Sequence, residues 1–265
     1  MRVTRLFSAT LTICAAVFAA AVTVNAAGPA GPSPYEDVLT RARNFCGDGA
    51  GTAEDGNDEG MTGIIEAAGK LTPAECLERT GYAVRDINGD GTPECLIGKI
   101  DGENGVSRTG KQLYAVFTLR DGSPAPVMEG TFRNRLFLLD DGSLFREGDA
   151  GVMAFIFGVY RLPRGLSRTE CLEFFFTRAE NESSRETGYY RNASEGLDPA
   201  TAEAMTQQAF EMKEKALASR VASLSLIPLA AFQSASSAQN GMPVRASRAE
   251  SAAPENGAYD TFIAD

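Results

Sequence analysis

The chain has 265 residues, 35 acids against 25 Lys and Arg, no histidine and no tryptophan, giving a formal charge of -10. So acidic a balance argues against nucleic acid as a partner, because a phosphate backbone needs clusters of Lys and Arg. Without histidine there is no Ser-His-Asp or Cys-His system and no usual neutral-pH general base; no GxSxG elbow or GxxxxGK[ST] loop is present either.

Arg2 and Arg5 precede an apolar run from Leu6 to Val24 that ends in Val24-Asn25-Ala26. This pattern predicts a signal peptide over residues 1-26, cleaved before Ala27, and a secreted or periplasmic protein with no membrane span after cleavage. The bulky Ile13 before Cys14 does not suit lipidation. Removing residues 1-26 takes out Arg2 and Arg5 and no acid, so the charge moves from -10 to -12. The remainder reads as one α+β domain over residues 27-232. A tail over 233-265, rich in Ser, Ala, Asn and Glu, buries too little to be ordered.

Ser33-Pro34-Tyr35-Glu36 combines an N-cap, a first-turn proline and an acid, and predicts a helix from Pro34 to Phe45 stopped by Gly47. Residues 48-60 are rich in Gly, Asp and Glu and read as a flexible loop. Thr72-Pro73-Ala74-Glu75 is a capping-box start and predicts a short helix through Arg79.

The next segment carries the most specific signal. In Asp86-Ile87-Asn88-Gly89-Asp90-Gly91-Thr92-Pro93-Glu94, oxygen donors alternate around one tight turn. A hard cation takes six to eight oxygens, so the expected calcium ligands are Asp86, Asn88, Asp90, the Thr92 carbonyl and Glu94. The flanks, Tyr82 to Val84 and Cys95 to Ile97, read as strands, and the twelfth position from Asp86 is the apolar Ile97 rather than a bidentate Glu. A helical EF-hand is therefore not expected. The run GYAVRDINGDGTPECLIG, residues 81-98, resembles secreted bacterial proteins carrying a DIDGDGxPELLIG loop. It is similar, more distantly, to the Asp-rich loops of FG-GAP and integrin-type (VCBS-like) repeats. The resemblance implies a calcium-braced β fold and no agreed activity.

From Tyr82 to Asn192, apolar or alternating runs are separated by Asp-Gly turns, and strands are expected at 82-86, 94-100, 112-119, 135-140, 143-147, 152-162, 170-178 and 187-191. The fold class is thus α+β: an antiparallel meander of about eight strands with N-terminal helices and a C-terminal amphipathic helix. Leu136, Leu138, Phe155, Phe157, Phe174 and Phe176 alternate toward a core, and Asp140 with Asp141 reads as turn chemistry rather than a catalytic pair. The last helix is expected from Asp198-Pro199, burying Phe210, Leu217, Val221 and Leu224, followed by an extended exit from Leu224 to Phe232.

Four cysteines remain after Cys14 is removed, which in an exported chain predicts two disulfides with three connectivities open. Cys46 with Cys76, helix to helix, and Cys95 with Cys171, strand to strand, is the preferred pairing. The leading functional expectation is a calcium-binding interaction module with a protein or polysaccharide partner. The rivals are a carboxylate- or metal-dependent hydrolase and a purely structural envelope protein. Clustered acids in a deep cleft would favour the hydrolase; a flat aromatic patch would favour binding.

Overall fold

The structure, a computed structural model, describes residues 33-48, 58-101, 108-151, 154-179 and 186-234. The expected signal peptide, most of the Gly- and Asp-rich loop and nearly all of the tail lie outside these residues. No helix among them is long and apolar enough to cross a membrane.

Three helices open the fold. α1 (Glu36–Asp48) buries Val38, Leu39, Ala42 and Cys46 on one face, and Glu36 and Asp37 sit at its positive end. It does not stop at Gly47, which is taken into the last turn in open space. α2 (Thr62–Ala68) starts at Met61, whose side chain makes no capping hydrogen bond. Its Gly63 lies so close to the Gly130 carbonyl that no side chain would fit. α3 (Pro73–Arg79) has the expected capping box: Thr72 accepts from the Glu75 N–H, and the Glu75 carboxylate accepts from the Thr72 N–H at 3.0 Å. Cys46 and Cys76 form a disulfide that clamps α1 to α3.

Among the described residues every strand pairing is antiparallel. β1 (Thr80–Arg85) and β2 (Glu94–Lys99) form a hairpin across the acidic loop, in register from Thr80 opposite Lys99 to Arg85 opposite Glu94. After the two-residue β3 (Thr109–Gly110), β4 (Gln112–Arg120) pairs with β2 and turns into β5 (Ser123–Glu129) at Asp121-Gly122. Both turn residues have positive φ, 54° and 80°, as a tight hairpin of this hand requires. β6 (Asn134–Leu138), β7 (Leu144–Asp149), β8 (Phe155–Arg161), β9 (Glu170–Ala179) and β10 (Thr187–Asn192) then run as a meander ending at β11 (Glu203–Met205).

The main sheet has eleven strands, and with the short pair β12 (Leu224–Ser225) and β3 the described residues hold thirteen in all rather than about eight. β13 (Ile227–Pro228) closes the edge beside β1. The expected last helix also starts later. Asp198 caps only a 3-10 turn over Pro199–Thr201, and α4 (Gln207–Ser219) begins at Thr206, whose hydroxyl accepts from the Ala209 N–H.

β4 explains how one sheet builds several cores. Gln112 and Leu113 pair with β6, whereas Ala115 to Arg120 pair with β5 on the same edge, so the sheet forks at a bulge. On one face Cys95, Ile97, Ala115 and Phe117 pack against α1 to α3. On the other, Leu96 and Val116 meet Leu136, Leu144 and Tyr160, where the sheet folds back on itself. Beyond the fork α4 packs Phe210 and Leu217 on Phe145, Phe157 and Phe175, with the Phe157 and Phe175 rings stacked at 4.6 Å.

Cys95 and Cys171 are both free, which corrects the second expected disulfide. Cys95 belongs to the cluster under the helices, while Cys171 packs at the margins of the Leu96-Tyr160 cluster and of the Ile156, Phe174 and Phe176 cluster.

Candidate functional site

The acidic loop is held in shape by its own side chains. The Asp86 carboxylate accepts from the N–H groups of Gly89 at 2.7 Å and Gly91 at 2.9 Å. Asn88 Oδ1 accepts from the Asp90 N–H, and Asp90 Oδ1 from the Thr92 N–H. Gly89 and Gly91 sit at φ 72° and 89°, so the loop needs glycine there. Tyr35 anchors the far side by donating its hydroxyl to the Pro93 carbonyl at 2.7 Å.

Two distant turns close on this loop. The Gly165 N–H donates to Asp90 Oδ2 at 2.9 Å, and Arg164 reaches the Asn88 carbonyl at 3.4 Å. Gly142, at φ 84°, lies directly against the Ile87 carbonyl. Between the loop and these turns is a cavity of about 600 Å³ lined by Asn88, Arg161, Leu162, Arg164, Ser143 and Leu172.

Glu94 stands apart from the other acids. It is fully buried, and its oxygens accept from the Ile87 N–H at 3.0 Å and the Thr118 hydroxyl at 3.1 Å. Burial pushes its carboxyl above the usual range against these two hydrogen bonds, and the charges of Asp90 and Asp86 add to the rise. Asp90 goes the other way, lowered first by the Gly165 N–H and then by the Thr92 N–H.

The donors are all oxygens, as a hard cation prefers, although Asp90 Oδ2 already accepts from both the Asn88 side-chain amide at 3.1 Å and the Gly165 N–H at 2.9 Å. Among the described residues, however, no three acidic, His or Cys side chains are grouped so as to hold a metal ion. Ligation by Asp86, Asn88, Asp90, the Thr92 carbonyl and Glu94 would require these groups to turn from their present hydrogen bonds.

A larger cleft, about 870 Å³, opens elsewhere, between the start of α2, β5 and the β7-β8 pair. Its charged lining is Asp58, Glu59, Glu129, Asp149, Glu195 and Arg146. Arg146 pairs with Glu195 at 2.7 Å and lies 5.2 Å from the Tyr160 ring. These acids come from widely separated segments, so no sequence motif announces them. Asp140 and Asp141, by contrast, are tied to Arg220 at 2.8 and 2.6 Å and serve the β6-β7 turn. Comparison with family models, curated proteins and solved structures finds no match for this chain.

Proposed function

We propose that the protein is an exported calcium-binding module, in which Ca2+ held at Asp86, Asn88, Asp90, the Thr92 carbonyl and Glu94 braces the β1-β2 hairpin of a scaffold that binds an extracellular protein or polysaccharide. The observation that carries this reading is the gathering of the oxygen side chains of Asp86, Asn88, Asp90 and Glu94 at the single loop that joins β1 to β2. A divalent cation would neutralise the three carboxylates gathered there, and Asp-rich loops between strands are the feature shared with the secreted bacterial proteins the sequence resembles. The Cys46 to Cys76 disulfide suits an oxidising compartment. Calorimetric titration of calcium into chelator-treated protein is expected to show one site that Asp90→Ala removes and Asp149→Asn leaves intact. No heat into the millimolar range would overturn the reading.

The acid-lined cleft favours a second reading, a carboxylate-dependent hydrolase. Its test is turnover of polysaccharide or peptide substrates that is abolished by Asp149→Asn or Glu195→Gln.

A further inference from the structure

We infer that the cavity of about 600 Å³ between the acidic loop, the β6-β7 turn and the β8-β9 hairpin is a binding site for a small amphipathic carboxylate, whose head pairs with Arg161 and Arg164 while its apolar body lies on Leu162 and Leu172. This ligand class is distinct from the protein or polysaccharide partner proposed above, and the site needs no ion in the acidic loop.

The first observation is charge. In a chain of net charge -10 the cavity is lined by two guanidiniums and a single carboxylate, that of Asp141. This carboxylate is already satisfied: it accepts from the Ser143 N–H at 3.0 Å and from the Ser143 hydroxyl, and it pairs with Arg220 at 2.6 Å. Arg161 donates to Glu170 at 2.9 Å, whereas Arg164 enters no ion pair among the described residues. Arg164 reaches the Asn88 carbonyl through Nε, at a long 3.4 Å. A guanidinium carries five N–H donors in a planar fork that matches a carboxylate, so both arginines keep donors for a ligand.

The second observation is independent of charge. Across the β8-β9 pair Val159 stands opposite Glu173 and Tyr160 opposite Cys171, so Leu172 is the extra residue of a bulge. A bulge re-aims the side chain it leaves unpaired, and Leu172 lines the cavity at 41% exposure instead of entering a core. The buried Leu162 and Ile87 complete an apolar wall beside the arginines. A hydrocarbon body laid on that wall puts its carboxylate within the reach of the two forks. The walls are fixed before a ligand arrives, because Gly142 packs on the Ile87 carbonyl and the Gly165 N–H holds Asp90 at 2.9 Å. The volume is that of a small-molecule site, which favours a free acid over a folded partner.

The test is calorimetry with octanoate on the purified full chain in physiological salt, first with calcium and again with chelator. One saturable site is expected in both. Acetate, which lacks the body, and octanol, which lacks the head, should each bind about tenfold more weakly or worse. Arg161→Gln with Arg164→Gln should weaken octanoate about tenfold, a few-fold for each exposed charge removed. Leu172→Ser should weaken it about three- to tenfold with unchanged melting temperature, since the side chain it shortens is partly exposed and unpaired in the sheet. Equal binding of octanol, as expected of a merely apolar surface, would overturn the proposal. So would unchanged affinity in the variants, or tighter binding of a short peptide ending in Leu. Binding that requires calcium would overturn it too, by placing the carboxylate on the ion rather than on the arginines.

Discussion

Thr118 on β4 donates its hydroxyl to the Glu94 carboxylate on β2 at 3.1 Å, and both side chains are buried. The bond ties the base of the acidic loop to the middle of the sheet. Thr118→Val keeps the shape and removes the donor, leaving a carboxylate oxygen without that partner. The expected loss is about 1 to 3 kcal/mol in chemical denaturation, with unchanged secondary structure by circular dichroism.

Calcium should stabilise the protein by mass action, about 2.7 kcal/mol at a hundredfold excess over Kd. Thermal scans in calcium and in chelator are expected to differ by several degrees. Asp90→Ala should remove the difference, and equal melting temperatures in the unaltered protein would count against the proposed brace.

The disulfide closes a loop with a sequence separation of 30 between helices packed on the same core. Cys46→Ser with Cys76→Ser should cost about 2 to 4 kcal/mol. Alkylation followed by mass spectrometry should find two free thiols. Cys171, partly exposed, should react first; Cys95 is fully buried, and burial pushes its thiol up to about 12.

Glu173 on β9 binds Lys213 of α4 at 2.5 Å and Arg191 of β10 at 3.0 Å. Burial alone would raise its carboxyl, but these hydrogen bonds and charges outweigh burial and lower it below the ordinary 4.5. A depressed carboxyl stabilises the fold above its unfolded value, and that contribution is lost as pH falls through the lowered folded value. Glu173→Gln should therefore reduce stability at neutral pH and flatten the decline below about pH 4.5, read from melting temperatures between pH 7 and 3. Salt should shrink the effect, since all three groups are partly exposed.

The eight long strands were legible because alternation and Asp-Gly turns are local signals. β5 was not, since Pro124 and Pro126 argue against a strand; it exists as an edge that pairs only with β4. α2 was not expected: it carries no side-chain cap, and its Gly63, a poor helix former, is required by close approach to Gly130. The last helix was expected from Asp198-Pro199, which caps only a 3-10 turn; α4 follows the Thr206 cap and packs Phe210 and Leu217 on the sheet. The acidic loop was visible as a motif, but the inward turn of Glu94 was not. The cleft's carboxylates come together only through the fork in β4 and the folding back of the sheet.

The Gly165 N–H reaches Asp90 across 75 residues of chain, and Gly142 packs against Ile87 in the same cluster. A contact of such long range forms late, after the entropy of closing the intervening chain has been overcome. During synthesis the loop leaves the ribosome well before the turn that completes it, so Asp90 lacks the Gly165 N–H until the β8-β9 hairpin arrives. Refolding kinetics should then show the loop maturing as a final event rather than a nucleus, with Asp90→Ala, which deletes the acceptor for the Gly165 N–H, speeding unfolding far more than it slows folding.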